Sequence, residues 1–126
     1  MQRFWLGVGI LAALLVLGFW TAEKMDAVHM EIAGQLETAA RQALGGDLSA
    51  GTKTSLAAKK AWEKSWHGSA TVADHAPMDE LDGLLAQLEA YSRAGQTGDF
   101  AACCSRSALL VRAMSEAHSM TWWNLL

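Results

Sequence analysis

From Phe4 to Trp20 every residue is apolar or glycine, with Arg3 before the run and Glu23 and Lys24 after it. Beyond Trp20 the pattern changes to one of steps. Met25, Val28, Ile32, Leu36, Ala39 and Ala43 recur at intervals of three and four, which places them on one face of a helix. Glu23, Asp26, Glu31, Glu37 and Arg41 fall largely off that stripe. No glycine or proline separates the stripe from the run before it, so the two read as one continuous rod. The rod should stop at Gly45-Gly46, where glycine takes the left-handed cap conformation, and Asp47 should cap the next helix.

The second helix is expected from about Leu48 to His67. Its inward stripe is thin: Leu48, Leu56, Ala58, Trp62 and Trp66. Trp62 and Trp66 stand one turn apart and share a face, as core anchors or as an exposed aromatic pair for a ligand or lipid headgroups. Lys53, Lys59, Lys60 and Lys64 occupy much of the other side, a solvated face or a contact for anionic lipid. Gly68 to His75 is the most irregular stretch. Asp74 is expected to cap a third helix, with Pro77 in its first turn and Asp79, Glu80 and Asp82 placed to suit the helix dipole. Met78, Leu81, Leu84, Leu85, Leu88 and Tyr91 form the strongest stripe, which ends at Gly95. Thr97 or Asp99 opens a fourth helix with Phe100, Cys103, Cys104, Leu110, Val111, Met114 and Ala117 facing inward. Thr121 to Leu126 is rich in tryptophan and needs cover from the bundle or a membrane.

Gly46-Asp47-Leu48 and Gly98-Asp99-Phe100 read as the same device, a glycine stop and an aspartate start followed by a large apolar residue. Two such short turns imply two helical hairpins. The expected fold is therefore all-α: an N-terminal transmembrane helix followed by an antiparallel up-down four-helix bundle. Lys60 and Lys64 would then lie near Asp79 and Glu80. One proline in the chain, and no runs of β-branched residues, agree with helix throughout.

The opening run extends to Ala22, about 19 residues or about 28 Å of helix, just short of a hydrocarbon core of about 30 Å. Trp5 and Trp20 stand near its ends as aromatic-belt residues do. A cleaved signal peptide is the rival reading. The residues before Ala22, Trp20 and Gly18-Phe19, are too bulky for a cleavage site, so an anchor is favoured, with 1–22 as anchor and 23–126 as the bundle domain. The N-terminal amine and Arg3 precede the run, and Glu23, Lys24 and Asp26 follow it. By the positive-inside rule the N-terminus is inside and the domain outside the cytoplasmic membrane. Gly9 and Ala13 form a small-xxx-small pair, weak support for a homodimer.

A net charge of −3 argues against a nucleic-acid partner, which requires a basic face. Cys103 and Cys104 are adjacent, their helical side chains diverge, and they read as small buried apolar residues without an intrachain disulfide. Four histidines invite a metal, yet His at i and i+4, Glu-x-x-His and Cys-x-x-Cys are all missing. His29 and Glu31 point to different faces. Only His67, Asp74 and His75 flank one loop and offer a three-ligand candidate. No Gly-x-Ser-x-Gly elbow and no phosphate-binding loop is present, so no catalytic constellation and no cofactor is expected.

An N-terminal anchor, a Gly46-Asp47 turn, the paired Trp62 and Trp66, a histidine followed by Met78-Asp79, a Gly98-Asp99 turn and a terminal Asn124-Leu125-Leu126 occur in that order. The sequence thereby resembles the family of small single-pass bacterial membrane proteins catalogued as domain of unknown function 4363. It departs from that pattern at Leu48, where an aromatic residue is expected, and in its alanine-rich helices. The resemblance implies an anchor and a helical fold, and no activity. The leading functional expectation is a noncatalytic, membrane-anchored interaction or accessory module at the outer face of the cytoplasmic membrane. Its partner would be another membrane or envelope protein, contacting a bundle face or the loop from Gly68 to His75. The alternative is a ligand- or metal-binding extracytoplasmic sensor domain built on His67, Asp74 and His75 with the tryptophan pair.

Overall fold

The structure, a computed structural model, describes residues 1–66 and 75–123, with the side chains of 66, 75 and 118–123 outside that description. Among the described residues all regular structure is helical: α1 (Gln2–Leu44), α2 (Leu48–Trp66), α3 (His75–Arg93) and α4 (Thr97–Trp123). α1 is unbroken over 43 residues and passes straight through the expected boundary at 22–23. Its first half is long and apolar enough to cross a membrane, and none of that stretch is buried inside the protein.

The first turn ends α1 by satisfying its last carbonyls. The Asp47 N–H donates to the Gln42 carbonyl at 3.0 Å and the Gly46 N–H to the Ala43 carbonyl at 3.1 Å. This 6→1 and 5→2 pair requires a left-handed residue, and Gly46 supplies it with φ +95°. Asp47 Oδ1 then accepts the Ala50 N–H at 2.9 Å, the N-cap bond of α2.

The second turn is built the same way from different residues. Gln96 N–H donates to the Tyr91 carbonyl at 3.0 Å and Gly95 N–H to the Ser92 carbonyl at 3.2 Å, with Gly95 at φ +68°. The Phe100 N–H already bonds the Gln96 carbonyl at 2.9 Å. Gly98 and Asp99 therefore lie inside the first turn of α4, and the expectation that they form the turn is corrected. One left-handed residue is enough to end a helix, and Gly95 takes that role before Gly98 is reached. Asp99 stabilises the α4 N-terminus as a first-turn carboxylate instead of a cap.

α1 packs against α2 and α4, α3 packs mainly against α4, and α2 and α3 meet over a smaller surface. The cross-helix bonds fix the alignment. Gln42 meets Thr54 (2.7 Å) while His29 meets Trp62, so numbers fall along α1 as they rise along α2. Thr52 bonds Ser92 (2.6 Å) and Trp62 bonds Asp82. Cys103 faces Leu84, and Arg106 faces Glu80.

The core is made of Ile32, Leu36, Ala39, Ala43, Ala58, Trp62, Leu81, Leu85, Leu88, Phe100, Cys104, Ala108 and Val111, with further alanine, leucine and methionine around them. Its tightest point is at Gly51, a buried residue whose added Cβ would stand 2.8 Å from the Ala39 carbonyl oxygen and 3.2 Å from the Phe100 ring. The α1 and α2 backbones touch there because neither side interposes a side chain. Gly34 and Gly83 have open space where a Cβ would go and mark no such contact.

The α3 stripe is as expected: Met78, Leu81, Leu84, Leu85 and Leu88 are buried. Elsewhere the inward faces shift. On α1 the buried set is His29, Ile32, Ala33, Leu36, Ala39, Ala40 and Ala43, while Val28 faces out. On α2, Gly51, Ser55, Ala58 and Trp62 face in and Leu56 is exposed. On α4, Ser107 and Ser115 are buried, whereas Ala117 is exposed.

Candidate functional site

The exposed apolar arm and the end of the bundle next to it are the two unusual regions. In the arm, large side chains are uncovered on every side, Phe4, Trp5, Leu11, Leu14, Val16, Phe19 and Trp20 among them. Successive residues of a helix turn by about 100°, so these positions point all round it and no single partner helix covers them all. At the upper end of the arm, Lys24 Nζ sits 3.9 Å from the Trp20 ring centroid, a cation–π contact one turn long. Thr21 turns its hydroxyl back onto the Leu17 carbonyl at 2.9 Å, so its polar atom is satisfied within the helix. Arg3 is exposed at the far end, near Trp5.

Just past the arm, the bundle holds a polar layer. His29 is buried, with its ring 6.0 Å from that of Trp62. The Trp62 indole N–H donates to Asp82 Oδ1 at 2.9 Å, so the ring is anchored in the core while its polar edge reaches a carboxylate on the surface. On the other flank the buried Ser115 hydroxyl donates to Asp26. Arg112 spans from α4 to Glu37 at 2.9 Å on α1. Asp82 is thus committed to Trp62, and Glu80 to Arg106 at 3.1 Å. Among the described residues no ion pair joins Lys60 or Lys64 to Asp79 or Glu80. α3 leans on α4, and α4 supplies the cation that Glu80 meets.

The bonds of this layer tie α2 to α3 and α4 to α1. Among the described residues no group of three or more His, Cys, Asp or Glu side chains is placed to hold a metal. His67 and Asp74 lie outside the described residues, as does the side chain of His75, so the proposed triad and the Asp74 cap fall there too. The Trp66 side chain, the other half of the tryptophan pair, is also outside them. A small groove of about 160 Å³ between α2 and α3 is lined by Thr52, Leu56, Lys59, Leu88 and Arg93, among others. Its charges are engaged locally: Arg93 with Glu89 at 2.5 Å, and Lys59 with Glu63 at 4.0 Å.

The cysteines are buried and free. Burial pushes the Cys104 thiol up to about 12, and the neighbouring Cys103 adds to the rise. Burial also raises Cys103, against smaller opposing effects of Ser107 and Arg106. The Cys103 S–H donates to the Leu84 carbonyl at 3.3 Å. Neither thiol has the exposed, electropositive surroundings of a nucleophile.

His29, Ser55, Ser107 and Ser115 are inward residues that hydropathy passes over. The signal was in the spacing: His29 continues the three-four rhythm of Ile32, Leu36, Ala39 and Ala43 one step toward the arm. No family model matches the chain, and neither a curated protein nor a solved structure matches it.

Proposed function

We propose that the chain is a noncatalytic interaction or accessory module, anchored through the first half of α1 at the outer face of the cytoplasmic membrane. The observation that carries this reading is the arm itself. It is apolar on all sides, uncovered by the rest of the protein and continuous with the packed half of the same helix. Hydrocarbon is the surrounding in which such a helix is stable, since its backbone bonds are all internal. The cross-helix bonds and the two three-residue turns support an antiparallel up-down bundle of two hairpins standing on that anchor. Arg3 before the arm, against Glu23, Lys24 and Asp26 after it, supports an inside N-terminus and an outside bundle. Membership in the family catalogued as domain of unknown function 4363 belongs to the same proposal and adds no activity to it. A second membrane or envelope protein is the partner that suits a bundle held at this height.

The test combines extraction and labelling. The full chain should stay with membranes in alkaline carbonate, and a Ser49→Cys variant should react with an impermeant maleimide on the outer side only. Release by carbonate rejects the anchor, and labelling only from the inner side rejects the orientation. Cross-linking in membranes that recovers the protein alone counts against the interaction role.

A further inference from the structure

Two alignments between α1 and α4 fix how far α4 reaches down the arm. Ser115 meets Asp26, and Arg112 meets Met30 at 3.7 Å, so α4 descends alongside α1 as numbers rise on one and fall on the other. α4 continues as helix to Trp123. From Ser115 to Trp122 is about 10 Å of helix, and from Asp26 down to Trp20 is about 9 Å. The last turn of α4 therefore ends level with Trp20, inside the height range of the exposed apolar arm.

The charges stop at matching heights as well. Going down α1, Glu23 is the last charged residue before Arg3; going down α4, Glu116 is the last residue of Asp, Glu, Lys or Arg type. By the same alignment these two lie within about one turn, 5 Å, of each other. Below that height α4 reads Ala117-His118-Ser119-Met120-Thr121-Trp122-Trp123 in sequence, and the two adjacent tryptophans that end it, at the level of a third, are the composition that a membrane–water interface takes. The basic surplus that would mark binding to anionic headgroups is missing at this end: Lys24 is offset by Glu23 and Asp26, and Lys64 by Glu63.

We infer that the C-terminal turn of α4 is a second membrane contact, seated in the interfacial layer of the bilayer beside Trp20, so that the bundle is held by one spanning helix and one dipping helix end. Zwitterionic and anionic lipid serve equally, because this end carries no basic surplus. The inference rests on the anchor reading given above.

The test is a depth measurement on the full chain in phosphatidylcholine–phosphatidylglycerol vesicles. Nitroxide labels are placed singly through Trp20→Cys, Trp123→Cys and Ser49→Cys. The native Cys103 and Cys104 are buried and protonated at neutral pH, so the introduced thiol takes the label. Relaxation by oxygen and by a water-soluble nickel chelate should place 123 within about 5 Å of the depth of 20, one helical turn, with 49 in water. A label at 123 that the nickel chelate reaches as freely as at 49, with 20 still in lipid, overturns the second contact and leaves the anchor standing. A label at 123 shielded from both relaxants also overturns it, since protein then covers that end. Water at position 20 rejects the anchor, and this inference with it. Trp122→Ser with Trp123→Ser supplies a check that needs no label: in the same vesicles the far bundle end should gain tilt freedom, read as a broader distance distribution from a label at 49 to the membrane surface, with the melting temperature unchanged. An unchanged distribution overturns the inference.

Discussion

Between Phe4 and Trp20, α1 shows leucine, valine, phenylalanine and tryptophan to its surroundings on every side. Between His29 and Ala43 the same helix buries a face that is mostly alanine, with Ile32 and Leu36 as its large members. The more hydrophobic half is the uncovered half. Hydrophobicity alone therefore does not sort residues into the core here; the distance to the next helix does. Where α2 comes within backbone contact at Gly51, only Ala39 and Ala43 fit beneath it. Where no helix comes close, the side chains are large and uncovered by the rest of the protein.

That contrast can be broken from either side. The largest effect is expected from Leu11→Arg with Leu14→Arg in the arm. Each arginine near a spanning-helix centre costs about 3 kcal/mol of insertion, so carbonate-resistant membrane attachment should be lost, while unfolding of the bundle stays where it was. The complementary change is Trp62→Ala, which empties a buried site and strands the bond to Asp82. Denaturant unfolding should show a loss of about 3–5 kcal/mol with membrane attachment intact. Leu36→Ala should follow at about 2–5 kcal/mol, whereas Leu14→Ala, made to the same residue type in the arm, should move bundle stability by less than about 0.5 kcal/mol.

Smaller changes sharpen the role of distance. Gly51→Ala adds a methyl group against the Ala39 carbonyl and should cost about 1–3 kcal/mol, although alanine is the better helix former. Gly83→Ala, with open space and an exposed position, should do the reverse and stabilise by up to about 1 kcal/mol in the same measurement. The core also carries a pH signature. The Cys104 thiol, at about 12 in the folded protein against an ordinary 9.0, keeps its proton when the unfolded chain has lost it. The stabilisation is complete below about pH 9 and declines as pH rises toward about 12, because the folded state then binds the extra proton. Urea midpoints should fall between about pH 8 and about pH 10.5, and Cys104→Ala should flatten that slope.

Much of this architecture is legible in the amino-acid order. The leucines of α3 keep a clean three-four rhythm and all face in. Gly46 and Asp47 are read correctly because a left-handed glycine and a capping carboxylate each have one local task. What escapes is tertiary. Ser55 and Ser107 look polar, yet each hydroxyl bonds a carbonyl of its own helix, at 2.9 Å to Thr52 and 2.8 Å to Cys103, and so enters the core with no polar group left open. Leu56 and Val28 look apolar but stand where no neighbouring helix reaches. The repeat of Gly-Asp before a large apolar residue misleads at Gly98 for a related reason. Whether a glycine ends a helix depends on whether another has already done so three residues earlier. As to the candidate site, the arm is plain from composition, whereas the His29–Trp62–Asp82 layer needs the packing of three helices to exist.

The continuity of α1 from Gln2 to Leu44 has a mechanical consequence. A rod without a hinge carries the orientation of its foot to its head. Transmembrane helices lean by about 20° on average; on the anchor proposed above, residues 23–44 would stand about 33 Å out of the membrane, and such a lean would displace the Gly46 turn sideways by about 11 Å. On the anchor reading, an arm of about 28 Å would lean in a bilayer thinner than itself and stand upright, thinning the lipid around it, in a thicker one. On the proposed anchor, membrane thickness would be passed on to the posture of the bundle, since α1 has no joint between them.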